Sequence, residues 1–420
     1  MTHGGAETMR PSNTRAIVVV FAVALAVLQY IDRVAISQAA PLVIDDLGLT
    51  KPQMGWVFSA FTLAYALFEI PGGYLGDWIG PRKVLLRIVL WWSFFTAATG
   101  WAWNLASLMT TRFLFGAGEA GCFPNLTKAF KRWLPAAERS RAQGIMWMSA
   151  RWGGAITPLL VYACLTVMTW RQAFLFFGLL GVVWAVAFAW WYRDDPRTHP
   201  GVNAAEAALL PPPSPGGDHL NVPWRRIATS PTVWCLCGQY AAMSYAWYFF
   251  VTWFPTYLLE VWKFDLKSSA ALAGLPLFLG GFGSLVAGWV GIGRTRRLLG
   301  AGGMAAAAGL LVTSTFATNP YVAVALIALV SFTMDLTMPG SWTTCMDIGG
   351  RATATLGGTM NMAGQCGGFV SPIVLGMIVG RTGNWPLTFH VTAVVCLTGA
   401  ACWLFIDPST HLEDAAPHES

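Results

Sequence analysis

Twelve apolar stretches of roughly 20 to 30 residues follow one another between residues 16 and 406, each long enough to cross a hydrocarbon core as a helix. They cover 16–38, 52–76, 84–104, 107–130, 140–168, 172–192, 231–260, 268–291, 297–318, 320–346, 352–380 and 385–406. Within lipid every backbone N–H and C=O must be bonded inside the protein, which leaves only helices and closed barrels. Barrel strands would show short alternating segments, and none is seen. Only 11% of the 420 residues are charged and 55% are hydrophobic, with mean hydropathy +0.53; soluble domains carry about 25% charge. The expected fold class is all-α integral membrane, with twelve transmembrane helices.

The two halves repeat. RWGGAITP (151–158) aligns with QCGGFVSP (365–372), Pro124 with Pro339, and GYLG (73–76) with GWVG (288–291), at offsets of 214, 215 and 215. A duplicated unit predicts two pseudo-symmetric six-helix bundles, an arrangement in which transporters place their substrate between the halves. The expected organisation is an N-terminal arm (1–15), a first bundle (16–192), a flexible linker (193–230) containing PPPSPGGD, a second bundle (231–406) and a short tail (407–420). A signal peptide ending near QAAP (38–41) is the rival reading of the first span, but the run is too long for one and completes the first bundle.

Of 26 Lys and Arg, 18 fall in the arm, the even-to-odd loops or the helix ends adjoining them, five in the opposite loops, and three deeper inside helices. By the positive-inside rule both termini are cytoplasmic, and the basic residues read as topology signals with no call for nucleic acid. The eight cysteines fit no zinc or redox spacing. No metal site and no cofactor are expected.

Against this apolar background Asp32, Arg33, Arg112 and Glu119 are conspicuous, because intramembrane charges are costly and point to ion or substrate pathways. Arg112 and Glu119 are seven apart and share a helix face, about 10 Å apart along the axis. Opposite chain directions let Asp32 reach Arg112 at similar depth, and let Arg33 alternate between Glu119 and a substrate carboxylate, which a guanidinium grips bidentately. Arg151 lies near the midplane of the fifth span with Gln365 as its repeat partner. Asp335 lies at similar depth in the second half, either as a second coupling site or as a partner for Arg151. Asn361 and Gln365 are one turn apart and suited to hydroxyls; Tyr245, Tyr30, Trp247 and Tyr248 fall at compatible depths. Glu69 belongs with a gate more than with the binding site.

The loop Gly73-Tyr-Leu-Gly-Asp77-Trp-Ile-Gly80-Pro-Arg82-Lys83 resembles the signature loop of the major facilitator superfamily, departing at Trp78, where a basic residue is usual. The resemblance implies a gating role for Gly73, Asp77, Gly80, Arg82 and Lys83. The equivalent loop of the second half has Ile292 in place of the aspartate, which predicts a weaker latch there. YIDR (30–33), RFLFGAGEAGCFPN (112–125) and TWFPTYL (252–258) further resemble the anion:cation symporter family within that superfamily, which includes hexonate, hexuronate, aldarate and aromatic-acid transporters. By that resemblance Asp32 and Glu119 match proton-titrating carboxylates, Arg33 and Arg112 their arginine partners, and Tyr65 a binding-site tyrosine.

The expected function is secondary active transport: proton-coupled uptake, by alternating access, of an organic anion such as a sugar acid. The substrate sites are Arg33, Tyr65, Arg112, Arg151, Tyr245, Asn361 and Gln365; the coupling sites are Asp32, Glu119 and Asp335. Rival readings are an aromatic-acid or short monocarboxylate permease, or an exchanger or uniporter without proton coupling; sodium also stays open as the coupling ion. No enzyme constellation or nucleotide-binding domain is evident. The expected setting is a monomer in a bacterial inner membrane, its partners the lipid bilayer and the anion.

Overall fold

The computed structural model describes residues 10–212, 222–291, 294–407, 410 and 412. Most of the arm, the centre of the 193–230 connection, Ile292 and most of the 407–420 tail lie outside the described residues. Among the described residues there are no strands. The spans are Thr14–Leu47, Lys51–Ile79, Pro81–Thr99, a fourth in two pieces (Leu105–Glu119 and Cys122–Trp133), Ala136–Val167 and Trp170–Trp191. The second half has a seventh in two pieces (Pro231–Thr252 and Phe254–Glu260) and an eighth in two pieces (Leu266–Ala273 and Leu275–Val290). Arg294–Ser314 follows, then a tenth in two pieces (Pro320–Asp335 and Met338–Ile348), Thr353–Thr382 and Trp385–Phe405. Nine of these are long and apolar enough to cross a membrane by themselves; the third, fourth and seventh complete the twelve.

Local chemistry sets many of the helix ends. Proline occupies the first turn of the second, third, seventh and twelfth spans, where its missing N–H costs nothing. Reciprocal capping boxes at Thr50/Gln53, Asn104/Ser107 and Thr169/Gln172 start the second, fourth and sixth, each satisfying two orphan donors. The first span runs past its expected end at 38 to Leu47, carrying Pro41 within it, and stops at Gly48 with φ 61°, a left-handed cap that glycine adopts without strain.

The fourth span breaks at Ala120–Gly121, and the break is structural. Gly121 has φ 82°, and a Cβ there would overlap the backbone of Gly72. The Asn125 amide donates to the Gly72 carbonyl at 3.0 Å and to the Gly121 carbonyl at 2.8 Å. The freed Gly121 carbonyl is thus satisfied by a side chain of the same span, which also ties the break to the second span, the kind of internal pairing a broken helix needs in a membrane. The tenth span breaks at the equivalent place, Leu336–Thr337.

Packing repeats as the sequence does. In the first half the first span packs on the fifth, the second on the fourth, and the third on the fourth and sixth; in the second half the seventh packs on the eleventh, the eighth on the tenth, and the ninth on the tenth and twelfth. The halves meet along two symmetric seams, the second span on the eleventh and the fifth on the eighth. Rings bridge them as well: Phe123 stacks on Trp147 at 4.4 Å between centroids, and Trp147 stacks on Trp342 of the second half at 5.7 Å.

The connection after the sixth span is partly built structure. Residues 196–198 and 204–207 form single helical turns, and Glu206 is fully buried. Its carboxylate accepts from the Ser12 hydroxyl (2.6 Å), the Thr14 and Arg15 amides (3.3 and 3.0 Å) and the Arg15 guanidinium (3.0 Å). Arg15 also forks onto Glu138 at 2.9 Å. Among its described residues the connection is therefore tied to the arm, because polar side chains at two distant points in the chain satisfy one another. Burial pushes the Glu206 carboxyl up, but hydrogen bonds from Ser12, Arg15 and Thr14 outweigh it and leave it below the ordinary value. Its contribution is full above the unfolded value near 4.5 and is lost as pH falls through the lower folded value. Acidification should therefore free the arm, read as faster proteolysis near Arg10, and Glu206→Gln should flatten that pH dependence.

Candidate functional site

At mid-depth the first, second and fourth spans bring their charges together. Arg33 Nε pairs with Glu119 Oε1. Glu119 is fully buried whereas the Arg33 side chain keeps 21% exposure, so the arginine is the reachable partner. Its guanidinium carbon lies 4.3 Å from the Tyr65 ring centroid and 6.0 Å from that of Tyr30. Arg33 Nη2 is buried with no acceptor, a spare donor beside a satisfied one. Gln29, fully buried one turn before Arg33, lies beside Glu119.

The expected direct pair of Asp32 with Arg112 is not formed. Asp32 Oδ1 and Arg112 Nη1 are each buried without a hydrogen-bond partner. Aromatic rings hold Arg112 instead: its guanidinium lies 4.2 Å from the Phe115 centroid and 5.5 Å from Phe61. Phe61 also lies 5.4 Å from Arg33, which places this ring within cation–π reach of both guanidinium groups.

From the second half, Asp335 takes Arg151. The pair is bidentate, Nε to Oδ2 at 2.8 Å and Nη2 to Oδ1 at 2.9 Å, and both residues are buried. Arg151 also lies 3.5 Å from the Tyr30 hydroxyl and 4.7 Å from the Trp247 centroid. Gln365 accepts from the Tyr248 hydroxyl at 3.1 Å. Asn361 donates to Glu69 at 2.8 Å and lies 3.4 Å from the Tyr65 hydroxyl, so it ties the eleventh span to the second. Tyr245 is buried with its hydroxyl unpartnered, and no hydrogen bond or ring contact joins it to the arginines.

Below this layer, toward the end where the first span starts and the twelfth stops, the halves are closed. Asp77 pairs with Lys128 and accepts from the amides of Ala354 (3.1 Å) and Thr355 (2.6 Å) and from the Thr355 hydroxyl (2.7 Å). The eleventh helix has no side-chain cap of its own; a carboxylate from the other half caps it and sits at the positive end of its dipole. Lys128 donates to the Arg351 carbonyl at 3.1 Å, and Lys131 to Thr353 Oγ1 at 2.9 Å. Gly73 lets the helices meet, since a Cβ there would strike the Ala354 carbonyl. The other seam closes glycine to glycine, Gly144 on Gly288, with Ser140 donating to the Gly291 carbonyl at 3.1 Å.

The remaining loop residues act elsewhere. Gly80, φ 89°, makes the turn between the second and third spans. The Arg82 amide donates to Asp194 at 3.1 Å and its guanidinium to the Ala189 carbonyl, anchoring the third span within the first half. Lys83 is exposed. At this end the cations that hydrogen-bond across the halves include Lys128 and Lys131, which sequence reasoning missed; KAFKR (128–132) read only as part of the charge bias. Among the described residues no group of three His, Cys, Asp or Glu side chains is placed to hold a metal.

Comparison with known proteins agrees with this architecture. The Probable sulfoacetate transporter SauU of Cupriavidus necator is 37% identical over 400 residues, covering 91% of each chain. The Probable L-galactonate transporter of Escherichia coli is 30% identical, covering 91% of this chain and 86% of the relative. Among solved structures, the human organic anion transporter MFSD10 superposes with TM-score 0.74 at 13% identity, covering 93% of this chain and 99% of its own. The proton:xylose symporter XylE gives 0.73 at 13%, covering 95% and 98%; at such identities these two bear on the fold alone. The model of the Major Facilitator Superfamily matches residues 22–372, and the chain belongs to that family of membrane transporters.

Proposed function

We propose that this protein is a proton-coupled symporter that takes up an organic anion, of the sugar-acid type or a related small acid, across a bacterial inner membrane by alternating access. The observation that carries the reading is the Arg33–Glu119 pair, in which a partly exposed guanidinium with a spare donor is held by a buried carboxylate. An incoming anion competes for Arg33. Glu119, released from its partner in a dry site, takes up a proton, and the loaded site is then neutral enough to reorient. Deprotonation on the far side restores the pair and expels the anion. Asp32, close to both Glu119 and Arg112, is the reserve carboxylate in this scheme.

The 18-to-5 charge bias assigns the end with both termini to the cytoplasm. On that assignment the contacts of Asp77, Lys128 and Lys131 close the cytoplasmic side, and the conformation described is outward-facing. The named relatives, transporters of sulfoacetate and L-galactonate, support an anionic substrate.

A thermal-shift screen of the purified protein against sugar acids, sulfonates, aromatic acids and short monocarboxylates tests the reading, followed by uptake into proteoliposomes with and without a pH gradient. At least one anion should stabilise the wild type, and Arg33→Lys should weaken it by about 100-fold through loss of the planar fork. Failure of every anion to stabilise the protein overturns the proposal.

A further inference from the structure

Resting on the anion-symport reading above, we infer that the site takes a dianion, an acid with two separate anionic groups, one held by Arg33 and the other by Arg151. The structure contains two arginine–carboxylate pairs of the same design. Arg33 is held by Glu119 within the first half, and Arg151 by Asp335 across the two halves. Tyr30 joins them, with its ring 6.0 Å from the Arg33 guanidinium and its hydroxyl 3.5 Å from Arg151 Nη1. The two guanidinium groups are therefore separated by about one tyrosine side chain, the spacing that a short diacid bridges.

The second pair is not explained as scaffolding. The repeat places an uncharged Gln365 where the first half has Arg151, so the bundle architecture does not require a cation at that position. Beside Arg151 the Trp247 indole N–H is buried with no acceptor. A buried donor without a partner is costly, and an acceptor arriving with the substrate satisfies it. Arg33 Nη2 is the matching spare donor at the other end. The groups facing Asp335 are Arg151, Ser331 and Gly280; those near Arg151 include Asp335, Tyr30, Tyr240 and Trp247, of which only Asp335 is charged.

Charge accounting then fixes the coupling. Before binding, each pair is neutral. A dianion that takes both guanidinium groups releases both carboxylates, and the site stays neutral only when Glu119 and Asp335 each accept one proton. Two protons thus accompany each dianion, and the cycle moves no net charge. A monoanion engages one arginine, releases one carboxylate and carries one proton.

The test uses proteoliposomes with the wild-type chain, at a pH where sulfoacetate and succinate are dianions, with methanesulfonate and propionate as monoanion probes. The dianions should bind at least about 30-fold more tightly, the fold expected of one additional charge-assisted contact. Their uptake should change less than about twofold when a potassium gradient with valinomycin imposes 100 mV. In the uncharged double variant Arg151→Gln, Asp335→Asn the dianion-to-monoanion affinity ratio should collapse toward one; a general folding defect would lower both affinities and leave the ratio unchanged. Equal affinity for the two classes in the wild type, or dianion uptake that responds steeply to the imposed potential, overturns the inference while leaving the anion-symport reading intact. Failure of both classes to bind sinks that reading itself.

Discussion

Glu119→Gln should abolish the uphill uptake that this carboxylate drives, the whole of it for a monoanion held at Arg33, while sparing exchange. Glutamine keeps the shape and one acceptor for Arg33, but it can neither neutralise the arginine by charge nor gain a proton. In the wild type the inward pH gradient drives accumulation, about tenfold per pH unit for each proton coupled, since one unit is worth about 1.36 kcal/mol. In the variant accumulation driven through this residue should fall to equality across the membrane. Counterflow of labelled against unlabelled anion should persist, because it needs only binding and reorientation. Undiminished pH-driven accumulation by the variant would remove Glu119 from the coupling scheme. The fully buried position of the carboxylate makes the effect large: a substituted surface carboxylate would leave water to make up the loss.

Asp77→Asn should shift the conformational balance away from closure at the end carrying the termini. The native carboxylate pairs with Lys128 and takes three hydrogen bonds from Ala354 and Thr355. An asparagine has one acceptor oxygen, so it leaves Lys128 or the helix amides without a charged partner. Breaking such a buried pair costs about 3–5 kcal/mol, of the order needed to move a two-state population from one extreme to the other. Spin labels at exposed Ala137 and Leu298, on opposite halves at this end, should report a longer distance in the variant. Lys128→Gln should shift the same distribution in the same direction. An unchanged distribution in both variants would show that the seam is held by glycine packing alone.

Much of this architecture can be read from the chain because lipid enforces it. Helix length, the repeat offset and the scarcity of charge follow from the bilayer, so twelve spans and two halves are legible, as is the meeting of Arg33 with Glu119 along known helix directions. The pairing of Arg151 with Asp335 was visible as one of two options, since both residues lie near the midplane. What sequence reasoning misses are contacts decided by competition between neighbours. Arg112 and Asp32 lie at similar depth, yet the rings of Phe115 and Phe61 hold the guanidinium, a choice invisible without side-chain placement. Asn361 is equally suited to a sugar hydroxyl and to Glu69, and the close approach of the second and eleventh spans selects Glu69. Lys128 and Lys131 disappear into a charge bias that is real for topology and silent about contacts. The burial of Glu206 depends on residues 12–15, almost two hundred positions away, and a polar, proline-rich composition argues against such order.

The ring contact between Trp147 and Trp342 has a further consequence. These indoles belong to opposite halves and overlap only while the halves meet at the end bearing the termini. Two indoles this close couple their strongest transitions, giving an exciton couplet in the far-ultraviolet dichroism that separated indoles lack. In the proposed cycle reorientation would pull them apart, which would give the protein an optical reporter of that step. A stopped-flow trace of that signal, on unlabelled protein mixed with an anion, times the opening step directly.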